Sequence, residues 1–340
     1  MDLKAKSILL PIFAGIIIFI WMTAGFFYHQ ATISVGENTQ TIILSIPPGA
    51  TLKKISTDLK GLSLIRNASA FRLLANIRQK QTHIQVGEYE LNQSMLPMDI
   101  LKAITSGKTV LHPVTIPEGY RISEIAELLT KKISINKEIF IKESRNKDLL
   151  NKLNITSKSL EGYLFPETYH FSKHTAEKKI IQTMLSTFQQ RMKTKNIQDQ
   201  IQSSDMSLHE IITLASLIEK ETGMNGERKH ISSVFHNRLK RKMRLQTDPT
   251  VIYAIENFDG NIRKKDLDID SPYNTYRYKG LPPGPIASPG IKSIVAALNP
   301  IKTNHLYFVS KKDGSHQFSS SLKEHNRAVQ KYQLKKINHR

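Results

Sequence analysis

Cysteine is absent from this chain of 340 residues, which excludes disulfide bonds and thiolate chemistry. The absence suits an exported protein, in which a stray thiol is a liability, although many cytosolic chains also lack cysteine. The sequence also has no phosphate-binding P-loop and no dinucleotide-binding fingerprint. We therefore expect no nucleotide cofactor.

A zinc site is not indicated either. The motif HEIIT at His209 lacks the second histidine of the zinc-protease helix, and His170 and His174 have no companion ligands in the sequence. We expect neither a metal nor any other cofactor.

Acidic residues are few: 29 Asp and Glu stand against 49 Lys and Arg, for a net charge of +20. The basic residues are scattered among acids rather than gathered in one arm, which argues against nucleic acid as a partner. Anionic lipid headgroups or an anionic extracellular polymer fit this charge better, and a merely solubilising surface is the alternative.

Charge is missing altogether from residues 8–28, ILLPIFAGIIIFIWMTAGFFY. As a helix this run would extend about 30 Å, the thickness of a bilayer's hydrocarbon core, so it predicts a transmembrane anchor. A cleaved signal peptide is less favoured, because the run is long and no small-x-small cleavage site follows it. Lys4 and Lys6 precede the span and the next Lys or Arg is Lys53, which predicts a cytoplasmic N-terminus and an exported remainder.

Two later segments resemble each other, IPPGATLKKISTDL from Ile46 and IPEGYRISEIAELL from Ile116. Each predicts a strand end, a turn and a helix, after which Asn67 or Asn136 is placed to cap a second short helix. The first copy, within residues 41–109, resembles a LysM-like module, a small fold that commonly grips N-acetylglucosamine-containing glycans. The alternative is a packing unit that binds nothing.

The segment LHEIITLASLIEKETG, from Leu208 to Gly223, predicts a helix that Ser207 and Glu210 begin with a capping box. At 100° per residue, Glu219 falls on the apolar stripe and Glu221 at its edge. Burial and the negative end of the helix dipole both raise the pKa of Glu219 in this interpretation, as a general acid requires. The alternative is a structural Glu219 paired with Arg238 or Lys220.

Polar and aromatic residues cluster further along, in RLQTDPTVIYA, SPYNTYRYKGLPPGPIASPG and HNRAV. Amides and carboxylates bind sugar hydroxyls and acetamides, and tyrosine faces stack on pyranose rings. The candidate substrate-binding residues are Gln246, Asp248, Asn274, Tyr276 and Asn326.

The motifs LIEKET, VFHNRL, RLQTDPTVIYA, YNTY, GLPPGPIASPG and FSSSLKEHN resemble, in this order, the endolytic murein transglycosylase (YceG-like) family. The resemblance implies an α+β protein with a single N-terminal transmembrane helix, a LysM-like module and a mixed α+β catalytic domain over residues 112–332. It implies an inner-membrane anchor, a periplasmic catalytic domain and association with peptidoglycan synthases. It assigns the catalytic glutamate to Glu219.

Members of this family cleave nascent peptidoglycan strands internally, between N-acetylmuramic acid and N-acetylglucosamine, and leave 1,6-anhydro ends. The resemblance implies this activity, and a limit on strand length follows from it as an expectation. Two alternatives stay open: a hydrolase in which Asp248 is the second carboxylate, and a non-catalytic glycan-binding scaffold.

Overall fold

The computed structural model describes residues 3–224 and 226–334, with side chains from residue 12 onward. Helices predominate and the strands are short, so the fold is α+β, as predicted. The chain divides into two compact units. The first comprises Met1–His112 and His170–Thr175, and the second comprises Pro113–Tyr169 and Ala176–Arg340. The predicted boundaries at residues 109 and 112 did not include the short second segment of the first unit.

Unit 1 combines the N-terminal helix with two strands and three further helices. Its elements are α1 (Leu3–Thr32), β1 (Ile42–Ile46), α2 (Leu52–Gly61), α3 (Ala68–Ile77), β2 (Gly87–Leu91) and α4 (Pro97–Ser106). Strands β1 and β2 pair antiparallel, with Leu44 opposite Tyr89. Both side chains point into a core that α2, α3 and α4 cover, because alternate strand residues face the same side of a sheet.

Helix α1 contains the segment Ile12–Thr32, which is long and apolar enough to cross a membrane. The predicted span, residues 8–28, overlaps this segment. Its described side chains are mostly exposed, unlike those of a helix in a soluble core, and α1 contacts α3 and α4 of the same unit.

Unit 2 is mainly helical. Its elements are β3 (Leu111–Thr115, which begins in unit 1), α5 (Ile122–Ile133), α6 (Lys137–Glu143), α7 (Lys147–Lys152), β4 (Thr168–Ser172, which ends in unit 1), α8 (Glu177–Met192), α9 (Lys195–Gln202), α10 (Leu208–Glu221), α11 (Arg228–Lys240), α12 (Asp248–Ala254), α13 (Ile291–Leu298), β5 (Tyr307–Ser310), β6 (His316–Ser319) and α14 (Leu322–Val329). Short 3-10 and π turns cover Lys264–Asp268 and Gln330–Leu334. Helix α10 packs on α11, α12 and α13, which makes it the centre of this unit.

The predicted internal repeat is confirmed in the order of its elements. A strand and two helices occur first as β1, α2 and α3, and then as β3, α5 and α6. The Asn67 side chain accepts hydrogen bonds from the backbone N–H groups of Ser69 and Ala70, and Asn136 accepts one from Ile139. Both asparagines therefore cap their helices, as expected for this residue type.

Leucines three positions apart in and just after α2 test the core of unit 1. Leu59 is fully buried, whereas Leu62 is 38% exposed at the end of the helix. We expect Leu59→Ala to cost about 2–5 kcal/mol, because it leaves a cavity, and the matched Leu62→Ala to cost under about 1 kcal/mol. The rate of backbone amide hydrogen exchange in peptides from β1 and β2 measures the loss of stability within unit 1. Equally faster exchange in the two variants would contradict the assignment of the core.

Candidate active site

Helix α10 begins with the predicted capping box. The Ser207 hydroxyl accepts from the Glu210 N–H at 3.3 Å, and the Glu210 carboxylate accepts from the Ser207 N–H at 2.8 Å. From residue 211 to residue 218 every side chain is buried. A helix buried on all sides has no single inward face, so the helical phase alone does not distinguish the two glutamates of its last turn.

Glu219 lies in an ion pair on one side of α10. Its carboxylate accepts from Arg228 Nη2 at 3.1 Å and from the backbone N–H of Gly290 at 2.9 Å, and both paired side chains are only 6% exposed. The partner is thus Arg228, rather than Arg238 or Lys220. These contacts connect the end of α10 to the start of α11 and to the start of α13, so they serve a structural role.

The segment GLPPGPIASPG runs beside α10 and ends at Gly290, whose backbone N–H donates to Glu219 of that ion pair. Hydrogen bonds fix its path: the Pro283 carbonyl lies 2.8 Å from His209 Nε2, and the Ile286 N–H donates to Ser216 Oγ at 3.1 Å. A Cβ at position 290 would lie 1.9 Å from the Glu118 carboxylate, so a larger residue there would displace the Glu118 side chain. The proline-rich loop is therefore a rigid support for α10.

Glu221, two residues further on, has different surroundings. The Thr247 hydroxyl donates a hydrogen bond to its carboxyl group, and helix α10 ends there because Thr222 is extended. Burial raises the pKa of Glu221 to about 7, and the nearby negative charge of Asp248 also raises it, whereas the Thr247 hydrogen bond lowers it. A glutamate with such a pKa holds its proton up to neutral pH and can release it, as a general acid must.

Glu221 lines an open cavity of about 430 Å³. Its walls come from helices α10, α11 and α14, the segment that leads into α12 together with the first residue of that helix, the loop that carries Tyr276, and strand β5. The lining residues are Glu221, Arg238, Leu245, Gln246, Asp248, Tyr276, Tyr307, Phe308, Leu322, His325 and Asn326. This volume lies within the usual range for ligand sites, about 300–1,000 Å³, and the walls mix aromatic and polar groups.

Four of the five predicted substrate-binding residues line this cavity. They are Gln246, Asp248, Tyr276 and Asn326. The Tyr276 hydroxyl donates to the Asp248 carboxylate at 2.6 Å, which fixes both groups at the cavity wall. Glu219, the predicted catalytic residue, is not among the residues of this wall.

Asn274 also lies outside the cavity wall. It is fully buried, and its side-chain amide donates to the carbonyls of Leu267 and Ile269 at 2.9 and 2.8 Å while its oxygen accepts from the Tyr276 N–H. These hydrogen bonds all go to the backbone of its own loop. Asn274 shapes the loop that presents Tyr276 and is not placed to touch a ligand.

Arg238, Tyr307 and His325 line the cavity and are not among the predicted site residues. Arg238 is buried, donates to the carbonyls of Leu245 and Leu306, and lies 5.0 Å from the centre of the Tyr307 ring. The His325 ring stacks on Tyr307 at 5.1 Å, and burial lowers its pKa, as does the Arg238 charge. His325 directly precedes Asn326, which was predicted to bind substrate. This neighbouring position is the feature of the sequence that could have identified His325.

A second carboxyl group has a similarly raised pKa but a clear structural role. Glu161 is buried, and burial raises its pKa to about 7. It accepts from the Ile122 N–H at 3.0 Å, at the first turn of α5, and from the Tyr253 hydroxyl at 3.4 Å. Glu161 and Glu221 therefore titrate in the same pH range, and only Glu221 lines the cavity.

The chemical groups of the cavity include a protonatable carboxyl, a carboxylate fixed by a tyrosine, and the amides of Gln246 and Asn326. A carboxyl group that can act as an acid, beside amides and hydroxyls that bind sugars, is typical of a polysaccharide-cleaving site. No group of three or more His, Cys, Asp or Glu side chains that could hold a metal ion occurs within the described residues.

The chain belongs to the YceG-like family, whose model matches residues 44–331. A protein of Bacillus subtilis named endolytic murein transglycosylase is 37% identical over 312 residues, which is 87% of this chain and 86% of that protein. A protein of the same name from Streptococcus pneumoniae is 31% identical, over 92% of this chain and 63% of its own length.

A solved structure is also similar. The crystal structure of a YceG-like protein from Listeria monocytogenes has a TM-score of 0.60 and 37% sequence identity, and the match covers 85% of this chain and 99% of that one. The family membership predicted from the sequence motifs is therefore confirmed.

The Thr247 hydrogen bond to Glu221 gives a testable pKa shift. This donor stabilises the carboxylate, so its loss in Thr247→Val should move the pKa of Glu221 upward from about 7. The control Thr213→Val removes a hydroxyl from α10 that donates to the His209 carbonyl instead. Side-chain carboxyl NMR titration measures both, and an unchanged or lower Glu221 pKa in Thr247→Val would contradict the arrangement.

Proposed function

We propose that this chain is an endolytic lytic transglycosylase of peptidoglycan in which Glu221 is the acid-base. The relatives' names supply the activity, and the position of Glu221 in the cavity carries the residue assignment. The alternatives from the sequence, a hydrolase and a non-catalytic scaffold, receive no support from the relatives. Cleavage within nascent strands would limit their length.

The reaction uses one carboxyl group twice. Protonated Glu221 gives its proton to the oxygen that joins N-acetylmuramic acid to N-acetylglucosamine, and the muramyl ring becomes oxocarbenium-like as the bond breaks. The resulting carboxylate then takes the proton of that sugar's own 6-hydroxyl as its oxygen attacks the anomeric carbon. The product is a 1,6-anhydromuramyl end, and no water is consumed.

The surroundings of Glu221 suit both halves of this cycle. Burial keeps the carboxyl group protonated near pH 7, and the Thr247 hydrogen bond stabilises the carboxylate once the proton has left. Intramolecular attack by the 6-hydroxyl exploits proximity, so a second catalytic carboxylate is not required. Asp248, held by Tyr276, serves as a fixed acceptor for sugar hydroxyl groups.

We infer that Glu219 supports Glu221 rather than replacing it. The assignment of Glu219 from the sequence depended on an apolar stripe and on the family resemblance, and residues 211–218 of α10 are buried on all sides, so the stripe does not single out Glu219. The ion pair of Glu219 with Arg228 fixes the last turn of the helix, from which Glu221 projects toward the cavity. Catalysis by Glu219 is the rival proposal that mutagenesis decides.

The wider setting is part of the proposal. The apolar helix α1 anchors the chain in the inner membrane with the N-terminus in the cytoplasm and unit 2 in the periplasm, as the placement of Lys4 and Lys6 favours. Glycan strands are the substrate, and peptidoglycan synthases are partners by family resemblance. Glycan binding by the LysM-like portion, within residues 41–109, is a proposal of the same kind.

Paired substitutions separate the two glutamates. Glu221→Gln should stay folded and lose cleavage of uncrosslinked glycan strands by about two orders of magnitude or more, because the titrating proton is gone. Glu219→Gln should instead lower thermal stability, since weakening a buried ion pair costs up to about 3–5 kcal/mol, and should keep activity when assayed well below its melting temperature. The reverse pattern would restore Glu219 as the acid.

The pH profile offers an independent check on Glu221. The acid must carry its proton, so kcat/KM should fall as the pH rises through about 7, the pKa of Glu221. Thr247→Val should move this decline to higher pH, whereas Glu161→Gln should leave it in place, because Glu161 does not line the cavity. If Glu161→Gln changed the pH at which kcat/KM declines, the assignment of Glu221 as the acid would be contradicted.

Product analysis separates the transglycosylase from a hydrolase. Asp248→Asn should weaken cleavage through substrate positioning and leave 1,6-anhydro ends as the product, which mass spectrometry identifies as lighter by one water than reducing ends. A hydrolase would give reducing ends and would lose most activity in both Asp248→Asn and Glu221→Gln. A scaffold would show no cleavage by the parent protein.

A further inference from the structure

Unit 1 contains a large apolar groove between α1 and α3. Its volume is about 980 Å³, and its wall on α1 extends from Ile20 to Thr32. The facing wall includes Leu73 and Ile77 of α3, with Leu96 just before α4. These elements belong to one compact unit, so the groove is a feature of unit 1 itself.

The facing wall leaves large apolar side chains uncovered even though α1 lies beside it. Leu73 is 46% exposed, Ile77 is 68% exposed and Leu96 is 44% exposed. The other face of α3 already packs Phe71 and Ala75 into the core of the unit. Helix α3 is therefore apolar on two faces, whereas a module surrounded by water needs only one such face.

The length of α1 limits where a membrane can lie. A hydrocarbon core of about 30 Å needs about 20 helical residues. The chain carries charge up to Lys6, so if the core ended before Ile20, only residues 7–19 would span it. Those residues extend about 20 Å at 1.5 Å each, which is too short. The part of α1 that lines the groove must therefore lie partly within the bilayer.

We propose that the face formed by Leu73, Ile77 and Leu96 is inserted into the bilayer, in the leaflet at the C-terminal end of α1. Lipid acyl chains fill the groove and cover this face, which makes it continuous with the membrane-spanning surface of α1. The inference rests on the proposed anchoring by α1.

The charges around the groove agree with a lipid occupant. Arg78 lines the groove at the end of α3, and exposed Lys80 follows it. Basic side chains beside an inserted apolar face reach the phosphates of lipid headgroups, as in interfacial helices. Unit 1 is then held against the membrane at two places, the span and the α3 face, instead of hanging from a single flexible tether.

The absence of cysteine allows a direct test with the full-length chain, because each introduced cysteine is the only site for a thiol-reactive fluorophore. Ile77→Cys reports on the proposed face. Ile17→Cys, within α1, reports on anchoring, and Ile43→Cys is the matched control, since Ile43 is an apolar residue 45% exposed on β1 and outside the groove wall. All three positions are exposed, so labelling them should leave the fold intact.

The labelled proteins are reconstituted into vesicles of phosphatidylcholine and phosphatidylglycerol, with and without lipids that carry a nitroxide on the acyl chain. We expect quenching of about twofold or more at residues 17 and 77 and none at residue 43, because an interfacial face lies about 5–10 Å deep. Quenching at 17 without quenching at 77 overturns the inference and leaves the anchor intact. No quenching at 17 overturns the anchor and the inference together.

A protein occupant gives a different result. If a second copy or another protein covers the face, the label at residue 77 is shielded from aqueous iodide and is also unaffected by the nitroxide lipids, which overturns the proposal.

Two further variants, Ile77→Lys and Ile43→Lys, test whether a charge on the face opposes its insertion. Only Ile77→Lys should increase iodide quenching of a label at Leu73→Cys, because a charge there draws the face out of the lipid.

Discussion

Burial of α10 on every side is the constraint on which the rest of unit 2 depends. Eight consecutive buried residues need neighbours all round, and α11, α12, α13 and the proline-rich loop supply them. A helix held in this way cannot rotate or fray without opening the core. Its last turn is therefore a fixed platform, which is what a catalytic group needs if it is to meet a sugar at a defined angle.

The two glutamates of that turn show how surroundings divide the roles of identical side chains. Glu219 meets a guanidinium group and a backbone N–H, and these contacts satisfy it within the protein. Glu221 meets a hydroxyl donor, a neighbouring carboxylate and an open cavity, and burial raises its pKa to about 7. Removing a buried carboxylate from its ion pair destabilises the fold, whereas a carboxyl group that can exchange its proton with a ligand can do chemistry.

The two units of the chain suit different solvents. Unit 2 places polar and aromatic groups around an open cavity, and unit 1 carries apolar side chains beside an apolar helix. The anchoring proposed for α1 and the catalysis proposed for Glu221 therefore depend on different residues of one chain.

The sequence by itself determined much of this protein: the apolar span, the capping box of α10, the Asn67 and Asn136 caps, and the motifs that place it in its family. These features are local, since they depend on residues a few positions apart or on a contiguous run. The tertiary structure decided which glutamate faces the cavity and that Asn274 supports a loop. It also brought Arg238, Tyr307 and His325 together, because contacts between residues far apart along the chain depend on how helices pack and not on the spacing within any one of them.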